Sequence, residues 1–379
     1  MPKSDHPKSA QIDQTFSRIL PGSADDATAT AARRPASPSQ ALVLASAQHS
    51  APTARRLCGA VSSLELITPG RSPPGERVSP FGSGVRHHDV SSPGRSTMRF
   101  EFKTANQHSA WDDILAVWRE ADQIELFECG WLVDHFYPIV PAADPRGPCL
   151  EAWTMLGALA QTTSRLRLGT MVTGVHHRHP AVLAKMVATV DIISGGRLEV
   201  GLGAGWNEEE SDAYGIELGG LRERFDRFDE ALHVLTSLLS RDTTDFEGTY
   251  YRLRDAHCEP KCVQKPYPPI LIGGTGEKRT LHAVARYAQR WDSAAASTPA
   301  EFAHKREVLA RYCDEIGRDV HDITTSTHIR LSPNQDINEV AASAAAFAEE
   351  NLDIAIIYLD PPLDPARLAT LAEVLGSLR

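Results

Sequence analysis

From Met98 onward the chain alternates two hydrophobic rhythms. In Met-Arg-Phe-Glu-Phe-Lys-Thr, apolar and polar positions take turns through Thr104, the period of a first strand, and Trp111–Glu120 follows as a first helix. The clearest unit lies further on. Leu166, Leu168 and Val172 mark a short β-rich run, and Pro180 opens a helix in which Val182, Met186, Val190 and Ile193 recur at helical spacing. Gly195-Gly196 stops that helix before the apolar run Leu198 to Leu202. Two such strands joined by a helical crossover form the repeating module of α/β proteins.

The same rhythm predicts the rest. Strand two runs through Glu128 to Val133, and the second helix covers Leu150 to Thr162. After the fourth strand comes a longer excursion. It holds an acidic helical turn beginning at Asn207–Asp212, then a long helix with Phe225, Phe228, Leu232, Leu235 and Leu239 in a 3-4-3-4 stripe. Asp245 to Leu253 closes it as a hairpin or extended loop. An excursion of this length either roofs a pocket or is a surface insertion. Strands at Ile270–Ile272, Trp291–Ala295, Ile323–Ile329 and Ile354–Leu359 alternate with helices at Glu277–Tyr287, 300–316, 336–350 and 365–377. Eight strands and eight helices over residues 98–379 predict an α/β fold, a (β/α)8 TIM barrel with an insertion after strand 4; an open doubly wound sheet is the alternative.

Composition separates residues 1–97 from this pattern. They are dense in Ser, Pro, Ala and Arg without sustained periodicity, a mixture that buries too little apolar surface to offset ordering entropy. The expectation is a disordered or non-native N-terminal extension with Met98 as the natural start. An Arg-rich sorting peptide is the other reading, diluted by acidic residues such as Asp25 and Asp26. The segment carries 11 Lys and Arg against 7 Asp and Glu, leaving 28 against 42 of the chain's 39 and 49 for the remainder. An acidic barrel argues against nucleic acid or an anionic membrane as partner. No apolar run reaches about 18 residues, the length a membrane span requires. The six cysteines are scattered without a C-x-x-C pair, as in a cytoplasmic enzyme with reduced thiols. His257, Cys258 and Cys262 lack a fourth ligand and the tight pairs of zinc modules, so no metal is expected.

Chemistry is expected at the carboxyl ends of the strands, where α/β folds bind ligands. Gly169-Thr170-Met171 closes strand three and Gly203-Ala204-Gly205-Trp206 strand four. Gly273-Gly274-Thr275-Gly276 follows strand five, and Asp134-His135 strand two. Small residues there let a flat ring or a phosphate approach backbone N–H groups. Gly201-Leu-Gly203-Ala-Gly205-Trp206 lacks the third glycine of a dinucleotide fingerprint and sits on the wrong strand, and the 273–278 loop lacks the Gly-Lys-Ser/Thr order of a P-loop. Each remains a glycine loop before a helix N-terminus, suited to an anion or simply a tight turn. His135 is the candidate proton donor or acceptor, with Asp134 orienting it or holding the rim. The run His176-His177-Arg178-His179 is assigned rim or ligand contacts rather than a metal, because adjacent ring nitrogens on a loop rarely converge on one ion.

Several words, taken in order, carry a resemblance. They are Val-Asp-His-Phe (133–136), Ser-Arg-Leu-Arg-Leu-Gly-Thr (164–170), Arg-His-Pro-Ala-Val-Leu-Ala-Lys (178–185), Ile-Ser-Gly-Gly-Arg-Leu-Glu (193–199), Gly-Ala-Gly-Trp-Asn-Glu-Glu-Glu (203–210) and Ile-Gly-Gly-Thr-Gly-Glu (272–277). The set resembles the bacterial luciferase-like superfamily, most of all its branch that uses the deazaflavin coenzyme F420, over the chain from about Met98 onward. The resemblance implies an oxidoreductase passing hydride between F420 and a small organic substrate. It implies coenzyme contacts at Thr170, Met171, Gly203–Trp206 and Gly273–Gly276, proton chemistry at His135 and Asp134, and a non-prolyl cis bond between Thr170 and Met171 backing the ring. A homodimer is among the implied partners. Members that oxidise sugar phosphates carry Trp and Glu where this chain has Ile139 and Trp206, which argues against that substrate. An FMN-dependent two-component monooxygenase is the second reading and a non-catalytic flavin or deazaflavin carrier the third.

Overall fold

The computed structural model describes residues 97–139, 144–294 and 298–378, so the expectations for residues 1–96 lie outside the described residues. Strand β1 (Arg99–Thr104) pairs in parallel with β2 (Phe127–Leu132) on one side and with the last strand, β11 (Ile354–Leu359), on the other. The ladder continues from β2 through β3 (Arg167–Thr170), β5 (Leu198–Gly203), β8 (Ile270–Gly273), β9 (Arg290–Asp292) and β10 (Thr324–Leu331) back to β11. Eight parallel strands therefore close into a TIM barrel, as the alternation of strands and helices predicts. Closure pairs each of these eight strands on both sides.

Alternation in β1 shows how the residues choose their sides. Phe100 and Phe102 point outward into the helical layer, where Trp118 of α1 (Trp111–Gln123) meets Phe102 edge-on at 5.2 Å. Glu101 and Lys103 point into the barrel. Helix α2 (Ala152–Thr162) begins two residues later than expected because Glu151 caps it, accepting from the Trp153 and Thr154 amides, while Leu150 hydrogen-bonds back to Asn106. Helix α3 (Pro180–Ile193) stops at Gly195 and Gly196, whose φ of 68° and 87° suit glycine. Its buried face is Leu183, Ala184, Val187, Ala188 and Val190, while Val182 and Ile193 face outward, so the expected stripe is turned by about one position. Packing on α5 (Leu221–Ser240) and the barrel chose this face; the helix is apolar nearly all round.

The excursion after β5 resolves into the short helix α4 (Glu208–Tyr214), α5, and an antiparallel hairpin of β6 (Thr244–Glu247) and β7 (Arg252–Ala256). Glu230 of α5 clamps the hairpin turn by accepting from the amides of Thr249, Tyr250 and Tyr251. Helices α6 (Thr280–Tyr287), α7 (Pro299–Glu315), α8 (Ile337–Glu349) and α9 (Pro365–Gly376) complete the outer ring. Among the described residues no helix is long and apolar enough to cross a membrane.

The barrel interior is not uniformly apolar. At the amino ends Arg290 reaches Glu101 at 2.8 Å and Glu199 at 3.4 Å, Trp131 Nε1 donates to Glu101 at 2.7 Å, and Arg167 donates to Glu199 at 2.6 Å. Two carboxylates against two guanidinium groups keep this buried cluster compensated.

Candidate active site

A cavity of about 500 Å3 opens at the carboxyl ends of the strands, within the range of small-molecule sites. One wall comes from strand three. Thr170 still pairs with Leu132, and the Met171 amide donates to the Leu132 carbonyl at 2.8 Å. The chain breaks from the ladder only afterwards, with a cis peptide bond at Met171–Val172, and resumes as β4 (Thr173–Gly174) beside β5. This corrects the expected position between Thr170 and Met171: the ladder holds Thr170 in regular strand geometry, and its hydroxyl lies 2.9 Å from that of Thr173.

Val172 explains the glycines facing it. A Cβ on Gly203 would lie 2.8 Å from Val172 Cγ2, one on Gly273 3.1 Å from Cγ1, and one on Gly201 1.9 Å from the Thr170 carbonyl oxygen. The strand ends are bare of side chains because the bulge occupies that space, leaving a smooth wall of Val172, Gly203 and Gly273. Gly274, Ala204, Gly205 and Trp206 also line the cavity, whereas Thr170 lies buried behind the wall, and Thr275 and Gly276 lie outside the lining. Trp206 is 60% exposed and meets the His135 ring edge-on at 5.7 Å.

At the mouth, His135 Nδ1 lies 2.6 Å from Glu210 Oε2 on α4, and the Phe136 amide donates to Glu210 Oε1, also at 2.6 Å. Burial raises the cost of charge on Glu210, yet the hydrogen bonds from His135 and Phe136 hold its carboxyl below the ordinary range. A carboxylate accepting from Nδ1–H leaves Nε2 as the free ring nitrogen of His135. Asp134, in contrast, is buried and engaged elsewhere. Thr173 Oγ1 donates to it at 2.7 Å, and Arg178 donates to both its oxygens at 2.6 and 3.1 Å while also pairing with Glu151. Of the two arrangements open to Asp134, the structure has the one that holds the rim; Glu210 is the carboxylate hydrogen-bonded to His135.

Two further histidines surround this pair. His177 Nε2 is 3.8 Å from Glu210, and the His176 ring lies 4.2 Å from that of His177. Burial drives His176 down to about 3 and His177 to about 4, so both are neutral at pH 7. Both ring nitrogens of His176 are buried without a hydrogen-bond partner among the described residues.

Across the cavity, Lys103, Asp292 and His328 project from β1, β9 and β10. Burial lowers Lys103 to about 8 against the attraction of Asp292, and raises Asp292 to about 6 against the attraction of Lys103. Burial holds His328 well below its usual value; its Nε2 lies 2.7 Å from Met171 Sδ and 3.4 Å from Asp292. These three are ionisable lining residues outside the motif words, and Glu210 closes the 203–210 word without having been assigned a role. Strand parity already turned Lys103 inward with Glu101, and an ionisable residue at the inward position nearest the carboxyl end of its strand is the signal that would have found it.

Comparison with known proteins agrees with this architecture. The sequence model of the family described as luciferase-like monooxygenase matches residues 95–368. An uncharacterized protein of Mycobacterium tuberculosis is 34% identical over 142 residues, covering 38% of this chain; the match spans about half, 49%, of that relative's own length. The F420-dependent glucose-6-phosphate dehydrogenase of Microbacterium testaceum is 28% identical over 280 residues, 72% of this chain and 80% of its own. Among solved structures, an F420-dependent secondary alcohol dehydrogenase in complex with an F420-acetone adduct superposes with a TM-score of 0.67 at 19% identity. It covers 75% of this chain and 99% of that one. A monooxygenase from Streptomyces bottropensis gives 0.62 at 21%, with 74% and 99% covered. At these identities the superpositions establish the shared fold. With a family match spanning most of the barrel and its ordered words in place, the chain belongs to the luciferase-like monooxygenase family.

Proposed function

We propose that the protein is an F420-dependent oxidoreductase that passes hydride between the deazaflavin and a small organic substrate. The observation that carries this reading is the pairing of a smooth wall at Met171–Val172, Gly203 and Gly273 with a Glu210-held imidazole lining the same cavity. A flat ring suits a wall without protruding side chains, and the unpartnered nitrogens of His176 suit a ligand with hydrogen-bonding groups. The residues present therefore fit the coenzyme. Met171, Val172, Gly203, Ala204, Gly205, Trp206, Gly273 and Gly274 would hold it, with Thr170 supporting the bulge from behind and Thr275 and Gly276 shaping the turn before α6. When bound, a deazaflavin supplies two-electron hydride chemistry with little reactivity toward oxygen.

The chain's own part is binding, orientation and the proton. Glu210 fixes the His135 ring and its tautomer, so that Nε2 is the nitrogen placed to give or take a proton at a substrate heteroatom. Asp134 acts at one remove, holding Arg178 and Thr173 in the rim. F420-dependent enzymes recur among the relatives and fold neighbours, which favours F420; flavin-type monooxygenases also occur there, and FMN is the second reading.

Titrating the purified protein with F420 and FMN side by side tests the coenzyme, and equal or reversed affinities overturn the F420 choice. On coenzyme-saturated protein, His135→Ala lowers single-turnover hydride transfer by about two to four orders of magnitude with coenzyme affinity little changed. A near-wild-type rate removes His135 from the mechanism.

A further inference from the structure

The cavity has two unlike sectors. Strands β3, β5 and β8 supply the smooth wall, while β9, β10 and β1 supply Asp292, His328 and Lys103. Lys103 is 6% exposed, and its ammonium makes no hydrogen bond among the described residues. It lies 4.6 Å over the Tyr358 ring and lines the cavity. A buried ammonium with three donors and no acceptor carries a large desolvation cost, unless a ligand provides the acceptor. Asp292 is better satisfied: Ser326 Oγ donates to it at 3.1 Å and the Ala294 amide at 3.3 Å.

A flavin or deazaflavin ring ends in a pyrimidinedione, whose edge alternates carbonyl acceptors with an N3–H donor. A lysine donor beside a carboxylate acceptor complements that alternation, whereas the apolar sector does not. We propose that Lys103 donates to the pyrimidinedione oxygen of the bound coenzyme and stabilises the negative charge that reduction places there, with Asp292 as the neighbouring acceptor. This rests on the coenzyme-binding reading above but not on which coenzyme binds, since F420 and FMN share the dione. Reduction adds one hydride to the central ring, and the displaced electron pair leaves one negative charge over N1 and the C2 oxygen. A positive group within reach of that edge favours the reduced form over the oxidised one. The direction agrees with the titration of the pair: at neutral pH Lys103 is still charged, and Asp292 is largely ionised.

The test is the ratio of dissociation constants for the oxidised and the reduced form, measured anaerobically with F420 and with FMN. The wild-type protein is expected to hold the reduced form at least tenfold more tightly, about a 30 mV rise in midpoint potential over the free coenzyme for a two-electron couple. Lys103→Met and Lys103→Gln remove that preference, and Lys103→Arg keeps it, with thermal unfolding confirming that each variant folds. A wild-type ratio of one or less overturns the proposal even if the neutral variants fail to fold, as does an unchanged ratio in either folded neutral variant. A Lys103-dependent preference for reduced FMN, with no binding of F420, sustains the proposal while removing the F420 reading. Absence of binding by both coenzymes overturns the two together.

Discussion

Glu210→Gln is the sharpest probe of the proton chemistry. The substitution keeps the shape and one acceptor oxygen but removes the charge that accepts from His135 Nδ1 at 2.6 Å and from the Phe136 amide at 2.6 Å. A hydrogen bond to a charged group contributes about 1.5–3 kcal/mol, which corresponds to a factor of about 10 to 150. The amide can also donate to Nδ1 and so move the imidazole proton to Nε2, fixing the wrong tautomer. Single-turnover hydride transfer on coenzyme-saturated Glu210→Gln is therefore expected to fall by about 10- to 150-fold, with coenzyme dissociation changed by less than about threefold. Stability supplies an independent readout. The folded pKa of Glu210 is depressed, so its contribution is fully present above the unfolded carboxyl value of about 4.3 and is lost as pH falls through the folded value. The variant should lack that part of the acid dependence. A wild-type transfer rate in a folded variant would refute the orienting role, and a large loss of coenzyme binding at normal turnover would recast Glu210 as a binding group.

Other consequences concern the wall and the buried histidines. Gly203→Ala should destabilise by about 1–3 kcal/mol because its methyl meets Val172 at 2.8 Å, and Val172→Ala in the same chain should recover most of that in chemical denaturation; no recovery would mean the strain lies elsewhere. His176 has a folded pKa of about 3 against about 6.5 unfolded, so the stability it permits is present above about pH 6.5 and is lost as pH falls toward its folded value. Allowing for partial exposure, His176→Leu should lessen the loss of unfolding free energy between pH 7 and 5 by about 1 kcal/mol; an unchanged pH slope would show that the imidazole is not held neutral.

Local rules made much of the barrel legible. The alternation in Arg99–Thr104, the proline start and glycine stop around Pro180–Ile193, and the strand at Ile354–Leu359 follow from neighbours a few residues apart, and these placed eight strands in order with His135 at the end of β2. The glycine words marked the right strand ends, though for a reason visible only in space: the side chain they make room for is Val172, up to about a hundred residues away along the chain. The partners of charged groups were not legible. Asp134 and His135 are adjacent in sequence, yet Asp134 turns to Arg178 and Thr173, while His135 takes Glu210, 75 residues later. Lys103 of the first barrel strand shares a cavity with Asp292 and His328, which lie far along the chain toward its other end, only because the sheet closes on itself. Hydrophobic periodicity determines which way a strand faces and where a helix ends, because those energies are local. Which ionisable groups meet inside the barrel depends on closure and register, and only the tertiary structure decides that.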